Sequence, residues 1–188
     1  GKKLPSLGPL SLVTATDGKH GRAVAYVAAL FGLSARIFVP NGTAQARIDG
    51  IASEGAIVKV VDGTYDEAVE HAAREAGDRC LVISDTSWPG YEEIPRWVME
   101  GYSTIFREID DELKRRGEEM PELFPIQFGV GALAAAVVRH YPANAPRIVG
   151  IEPLHAACAL ASMEAGAIVT VPGPHDSRRA GWICGGGS

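Results

Sequence analysis

Long apolar runs, a secretion signal and an excess of basic residues are all missing from this chain of 188 residues. No apolar run approaches the roughly 20 residues that span a bilayer, and the first residues lack the charged and then apolar pattern that directs secretion. The formal net charge is −5, which indicates no basic surface for nucleic acid or acidic membranes. These absences predict a cytoplasmic protein without a nucleic-acid or membrane partner.

Cysteine is also scarce, with three residues in the whole chain. Cys80, Cys158 and Cys184 lack the Cys-x-x-Cys spacing of a zinc site and do not form a disulfide framework. We therefore predict no metal site. A disulfide between Cys158 and Cys184 stays open, although a reducing cytosol favours free thiols.

Short β-branched apolar runs alternate with longer stretches of helical periodicity, and this order predicts parallel sheets covered by helices. The fold class expected is α/β, with two three-layer αβα lobes and mainly parallel sheets. A break at Trp88 to Pro95 divides a first lobe, residues 1–92, from a second, residues 93–188. The predicted strands are Leu10–Ala15, Ala35–Val39, Ala56–Val61, Cys80–Ser84, Phe124–Phe128, Arg147–Glu152 and Ile168–Val171. The predicted helices are His20–Gly32, Ala44–Glu54, Tyr65–Ala76, Ile94–Arg116, Leu133–His140 and His155–Ala165.

A glycine turn lies between the first predicted strand and the first predicted helix. Residues Thr16 to Gly21 read Thr-Asp-Gly-Lys-His-Gly. Such a turn aims unpaired backbone N–H groups and the positive end of the helix dipole at a ligand, which favours anions. Gly18 and Gly21 permit close backbone approach. The alternative interpretation is that these glycines only end a strand.

A second glycine turn, Gly129 to Ala134, follows the strand Phe124–Phe128 and opens another helix, so it also suits a phosphate. On spacing alone it fits the Gly-x-Gly-x-x-Ala motif of a dinucleotide-binding fold. Glu152 lies about 20 residues further on, where a ribose-binding acid would be expected. A dinucleotide-dependent oxidoreductase is therefore one hypothesis.

Two aspartates follow strands, at the edge where α/β folds collect functional groups. Asp17 and Asp85 could take protons or bind a cationic amine. The alternative is that each is a helix cap or a turn former.

Five strings together resemble a known family. The Thr16–Gly21 turn resembles the Ser/Thr-x-Gly-Asn-His-Gly loop of fold-type II pyridoxal phosphate (PLP) enzymes. Asp85–Tyr91, read as Asp-Thr-Ser-Trp-Pro-Gly-Tyr, is similar to the Asp-Thr-x-Trp-x-Gly-Tyr segment of the diaminopropionate ammonia-lyase family. Gly129–Ala134 resembles that family's phosphate-holding glycine loop. Two further strings follow in the family's order, Ile148–Pro153 with Ala156, Ala157 and Cys158, and then Val171–His175.

The resemblance implies a PLP-dependent lyase that eliminates ammonia from 2,3-diaminopropionate and yields pyruvate and further ammonia. It implies Asp17 as the base for the D enantiomer of the substrate and Asp85 as the base for the L enantiomer. Relatives of this fold type are commonly dimers, so a homodimer is expected. The residues expected to bind the cofactor are Gly18, Lys19, His20, Gly21, Gly129, Val130, Gly131, Ala132 and Leu133.

The chain departs from the family in two respects. Lys19 stands where the family has an asparagine that contacts the cofactor's ring hydroxyl. The family's Schiff-base lysine belongs to a segment upstream of residue 1, so the resemblance implies a chain incomplete at both ends, whose activity on its own is in question. Lys19 could take over the Schiff-base role, but a solvated or phosphate-facing side chain is favoured. A serine/threonine dehydratase, a cysteine synthase-like enzyme and a non-catalytic fragment stay open as alternatives.

Overall fold

A computed structural model describes residues 9–141 and 146–171. The chain divides into two units, Gly1–Ser84 and Asp85–Ser188. The sequence-based boundary lies further along, after residue 92, beyond a turn at Trp88–Tyr91 that belongs to the second unit.

The first unit alternates strand and helix along the chain. The four strands form one parallel sheet in the order β3-β2-β1-β4. The strands are β1 (Ser11–Ala15), β2 (Ser34–Pro40), β3 (Ile57–Val61) and β4 (Cys80–Val82), and the helices are α1 (Lys19–Phe31), α2 (Gln45–Ala52) and α3 (Tyr65–Arg74). The prediction of an α/β fold with parallel sheets is confirmed.

Helices cover both faces of this sheet, which makes the first unit three-layered. One core cluster joins Val24 of α1 and Ile51 of α2 to Ile37 of β2. The other joins Ala68 of α3 to Val13 and Phe38 on the opposite face. Strand β1 is therefore buried on both sides, as expected for an inner strand of a parallel sheet.

Helix α1 approaches the sheet closely at Gly21. A Cβ atom on this residue would collide with the Thr16 side chain and lie 2.8 Å from Cγ2 of Ile37. Real Cβ atoms do not tolerate such contacts, because close-packed interiors leave no room for an added methyl group. The glycine therefore sets the distance between the helix and the strand ends below it.

Within residues 85–141 and 146–171, the second unit has two strands and one helix of 24 residues. Its elements are α4 (Glu93–Arg116), β5 (Leu123–Gln127), α5 (Ala132–His140), β6 (Arg147–Ile151) and α6 (Cys158–Ala165), with a short 3-10 turn at Leu154–Ala156. Strands β5 and β6 are parallel. Phe106 of α4 packs with Ile126 of β5 and Val137 of α5 in one core. None of the described helices is both long and apolar enough to cross a membrane.

The predicted strand Ile168–Val171 is wrong, since the structure gives these residues no regular secondary structure. The N–H of Val169 donates to Oγ of Ser162 at 2.9 Å, within the segment that closes α6. An apolar β-branched run becomes a strand only where a neighbouring strand pairs with it. No described strand pairs with this one.

Replacing Gly21 by alanine should lower the free energy of unfolding by about 1–3 kcal/mol, because the added methyl group overpacks the contact with Thr16 and Ile37. Urea unfolding measures the change. Gly50→Ala is the matched control, since a Cβ at this helical position of α2 meets nothing within 4 Å. The control should be neutral or stabilising by up to about 1 kcal/mol. Equal effects of the two substitutions would contradict the close-approach argument.

Candidate functional site

A threonine hydroxyl organises the turn between β1 and α1. Oγ1 of Thr16 accepts hydrogen bonds from the backbone N–H groups of Gly18 at 2.9 Å and Gly21 at 3.1 Å. Thr16 is 2% exposed, and its own N–H donates to the carbonyl of Phe38 at 2.9 Å. A hydroxyl that closes a turn onto following N–H groups is a recurring local motif. This spacing could have indicated the role of Thr16, which sequence analysis did not assign.

The first N–H groups of α1 remain available to a ligand. The N-cap residue, Gly18, has no side chain to cap the helix, and Thr16 bonds to one N–H group within it, that of Gly21. Within residues 9–141 and 146–171, the N–H groups of Lys19 and His20 have no hydrogen-bond acceptor. Such groups at the start of a helix suit an anionic ligand. The side chain of Lys19 is exposed beside them.

His20 joins the start of α1 to the end of β4. Its Nε2 atom lies 2.8 Å from the carbonyl oxygen of Ile83. Because a carbonyl oxygen can only accept, Nε2 donates and therefore carries the hydrogen. The contact fixes both the ring orientation and the position of the turn over the sheet edge.

Asp17 is paired with an arginine that the sequence analysis did not identify. Nη1 of Arg47, on α2, donates to Oδ2 of Asp17 at 3.1 Å and to the carbonyl of Asp17 at 3.0 Å. The side chains are 28% and 44% exposed for Asp17 and Arg47, and a pair this exposed contributes only about 0–1 kcal/mol to stability. Its effect is therefore mainly geometric. The two residues are far apart in sequence, so no local pattern signals the contact.

The second glycine turn links β5 to α5. Its last residue, Gly131, is the N-cap of α5 and has a φ of 98°, a conformation that strains any residue with a Cβ atom. No side chain caps this helix of 9 residues. In the part of the chain that the structure describes, the N–H groups of Ala132 and Leu133 have no acceptor. The turn therefore fits a phosphate group on its backbone.

Glu152 does not occupy the role that the dinucleotide hypothesis requires. Its Oε1 accepts from the N–H of Ala159 at 2.8 Å and its Oε2 from the N–H of Leu160 at 3.0 Å. Both carboxylate oxygens thus cap the start of α6, where a negative charge also suits the helix dipole. Burial, and then the charge of Glu152, raises the pKa of the neighbouring Cys158 thiol. The arrangement is a structural cap rather than a ribose site.

Asp85 follows β4 in the chain and is the first residue of the second unit. Burial, and then the charge of Asp85, raises the pKa of Tyr102 on α4. Trp88 and Tyr91 stack with ring centroids 4.0 Å apart across a turn in which Gly90 has a φ of 86°. The predicted aromatic string is therefore an ordered turn next to a half-buried carboxylate.

The structure distributes the predicted site residues over both units. In the first unit, residues 17–21 form one turn after β1, held by Thr16 and contacted by Arg47. In the second unit, residues 129–133 form the turn from β5 into α5, and Asp85 opens the unit. Neither aspartate is the N-cap residue of a described helix.

Two glycine turns that open helices at strand ends, each with N–H groups that have no acceptor among the described residues, define an α/β protein of the class whose helix starts suit anions. The chain belongs to the family of pyridoxal-phosphate dependent enzymes, whose sequence model matches residues 3–186. Its structural neighbours are fold-type II enzymes of this kind.

Similar proteins include several ammonia-lyases. The chain is 38% identical over 180 residues, 92% of its length, to the diaminopropionate ammonia-lyase of Salmonella typhimurium. It matches the Escherichia coli diaminopropionate ammonia-lyase, solved with an aminoacrylate-PLP azomethine reaction intermediate, over 95% of this chain with a TM-score of 0.87 and 35% identity. It is also 33% identical over 171 residues, 85% of its length, to an L-serine dehydratase/L-threonine deaminase of Bos taurus.

The chain spans about half the length of these relatives. The matched share is 45% of the Salmonella protein, 46% of the Escherichia coli chain and 47% of the bovine protein. The segment that is matched contains both glycine turns and both aspartates.

Replacing Glu152 by alanine should destabilise the start of α6 by about 1 kcal/mol, because two backbone N–H groups lose their acceptor. Amide hydrogen exchange of the peptide that covers α6 measures the effect. Glu164→Ala removes an exposed carboxylate from the same helix and is the control. Exchange that is equally fast in both variants would show that Glu152 does not act as the cap.

Proposed function

We propose that this chain forms part of a PLP-dependent ammonia-lyase that acts on 2,3-diaminopropionate and releases ammonia and pyruvate. The observation that carries the proposal is the pair of glycine turns with available N–H groups, together with a carboxylate after β1 and another after β4. The similarity to diaminopropionate ammonia-lyases over more than nine tenths of the chain supports this choice of substrate.

The backbone of residues 129–133 is proposed to hold the cofactor phosphate. The positive φ of Gly131 and the N–H groups of Ala132 and Leu133 support this role, because phosphate is favoured by helix N-termini. Val130 belongs to the same turn. When bound, PLP serves as the electron sink of the reaction.

The turn at residues 18–21 is proposed as a further segment that binds the cofactor. The N–H groups of Lys19 and His20 are available to an anionic oxygen, whereas those of Gly18 and Gly21 already bond to Thr16. Lys19 adds a mobile positive charge at the helix start. An asparagine amide at this position would offer a neutral hydrogen bond instead, so Lys19 should change the electrostatics of the site.

Asp17 and Asp85 are proposed as the bases that remove the α-proton from the D and the L enantiomer. Asp17 has one carboxylate oxygen bonded to Arg47. Asp85 is half-buried and its charge helps to keep the Tyr102 hydroxyl protonated, second to burial. Each carboxylate would also favour an amino group of the substrate over a hydroxyl group, because an opposite charge pair is attractive.

A serine/threonine dehydratase is the second candidate, and the bovine relative at 33% identity favours it. The two candidates differ in substrate. Ammonia release from diaminopropionate that is at least tenfold faster than from L-serine or L-threonine would support the lyase, and the reverse preference would support the dehydratase.

We also propose a cytoplasmic homodimer. Cys80 and Cys158 are free thiols, which are typical of a reducing compartment, and the dimer follows from the resemblance to fold-type II enzymes. Light scattering of the purified full-length gene product tests the assembly, and a mass of one chain would contradict it.

Replacing either aspartate by asparagine should affect one enantiomer only. In the full-length gene product, Asp17→Asn should lower kcat for D-diaminopropionate by about 10²–10⁴-fold and leave the L enantiomer within about twofold, because general base catalysis contributes about that much. Asp85→Asn should do the opposite. Coupled assays of pyruvate and ammonia measure both. Asp49→Asn, an exposed carboxylate of α2 bonded to Gln45, is the control. Equal loss with both enantiomers would overturn the assigned roles.

A further inference from the structure

Arg47 lies across the first glycine turn. A Cβ atom on Gly18 would be 3.3 Å from Cδ of Arg47, so the aliphatic part of the arginine packs against the turn. Beyond it, Nη1 reaches both the main-chain carbonyl and Oδ2 of Asp17 at 3.0 and 3.1 Å. One guanidinium nitrogen thus holds the backbone and the side chain of the same residue.

The two oxygens of the Asp17 carboxylate are not equivalent. Oδ2 accepts from Arg47, whereas Oδ1 has no hydrogen-bond partner among the described residues. A base must present a free oxygen in a defined direction, because proton transfer needs hydrogen-bond distance and alignment. The pairing leaves one oxygen free for this purpose and restricts rotation of the carboxylate.

The pairing is also specific to one of the two aspartates. The two hydrogen bonds donated by the Arg47 side chain both end on Asp17. The charge of Asp85 instead acts on Tyr102, which belongs to the same unit, and helps to raise its pKa, second to burial. A change at Arg47 should therefore alter the geometry of Asp17 more than that of Asp85.

We propose that Arg47 is a positioning residue that orients Asp17 for proton removal from D-diaminopropionate and so sets the ratio of D to L turnover. This inference rests on the proposed function. Arg47 itself is not a base in this proposal, because a guanidinium donates hydrogen bonds and has no acceptor. It acts through the direction in which Oδ1 of Asp17 points.

The test compares Arg47→Met with Arg47→Lys in the full-length gene product with its cofactor. Methionine keeps the aliphatic packing over Gly18 but cannot donate, so kcat for D-diaminopropionate should fall about 10–100-fold, as misplacement of a reacting group commonly does. The KM should stay within about threefold and L turnover within about twofold. Lysine keeps one positive donor and should recover part of the loss.

A matched control removes another exposed arginine ion pair. Arg74 and Glu70 on α3 form an ion pair at 2.8 Å, and both side chains are exposed, as in a typical surface pair. Arg74→Met should leave both enantiomers unchanged. The D to L ratio is taken within one preparation, so a difference in active concentration between variants cancels.

A second measurement does not depend on turnover. Amide hydrogen exchange of the peptide that covers residues 16–21 should be faster in Arg47→Met than in the wild type and intermediate in Arg47→Lys, while the α3 peptide stays unchanged. Cofactor absorbance checks that each variant is loaded. If Arg47→Met fails to fold, Arg47→Lys carries the test with a smaller D-selective loss.

The possible failures are distinguishable. A wild type that releases no ammonia from either enantiomer would overturn the proposed function and this assignment with it. Wild-type turnover of both enantiomers, with an equal loss of both or no loss in Arg47→Met, would overturn the role of Arg47 alone. A D-selective loss in kcat with recovery in Arg47→Lys is the expected result.

Discussion

The close contact between α1 and the edge of the parallel sheet is the constraint on which the first unit depends. Gly21 lies where the side chains of Thr16 and Ile37 leave no space for a methyl group. At this distance the Thr16 hydroxyl can reach two N–H groups of the turn, and His20 can reach the carbonyl of Ile83. The helix start is thereby held over the strand ends by three hydrogen bonds that need the same short separation.

Periodicity was enough to predict most of the fold. The alternation of apolar runs and helical stretches located the six observed strands and six observed helices of the described residues to within a few residues. It failed at Ile168–Val171, because strand formation requires a pairing partner that composition does not reveal. The end of the first unit at Ser84 also has no local signal in the sequence.

The candidate site likewise has features that the sequence predicts and contacts that it does not. Glycines in turns and carboxylates after strands are visible in the sequence, because the turn and the strand are local features. The pairing of Arg47 with Asp17 and the capping of α6 by Glu152 are not visible, since they depend on which elements the fold brings together. The spacing of Glu152 fits a dinucleotide motif, but its two carboxylate oxygens cap the start of α6.

The two glycine turns share a layout but differ in how their N–H groups are used. In the first turn, the Thr16 hydroxyl accepts from the N–H groups of Gly18 and Gly21. Among the described residues, the N–H groups of Lys19 and His20 between them have no acceptor. In the second turn, no side chain caps α5, and the left-handed Gly131 leads directly into N–H groups without acceptors. Both turns offer more than one donor, as an anion with several oxygens needs. They differ in charge, because the first turn carries the Asp17 carboxylate whereas residues 129–133 carry no charged side chain. This difference supports the proposed assignment of the phosphate to the second turn, since a like charge beside the first would repel it.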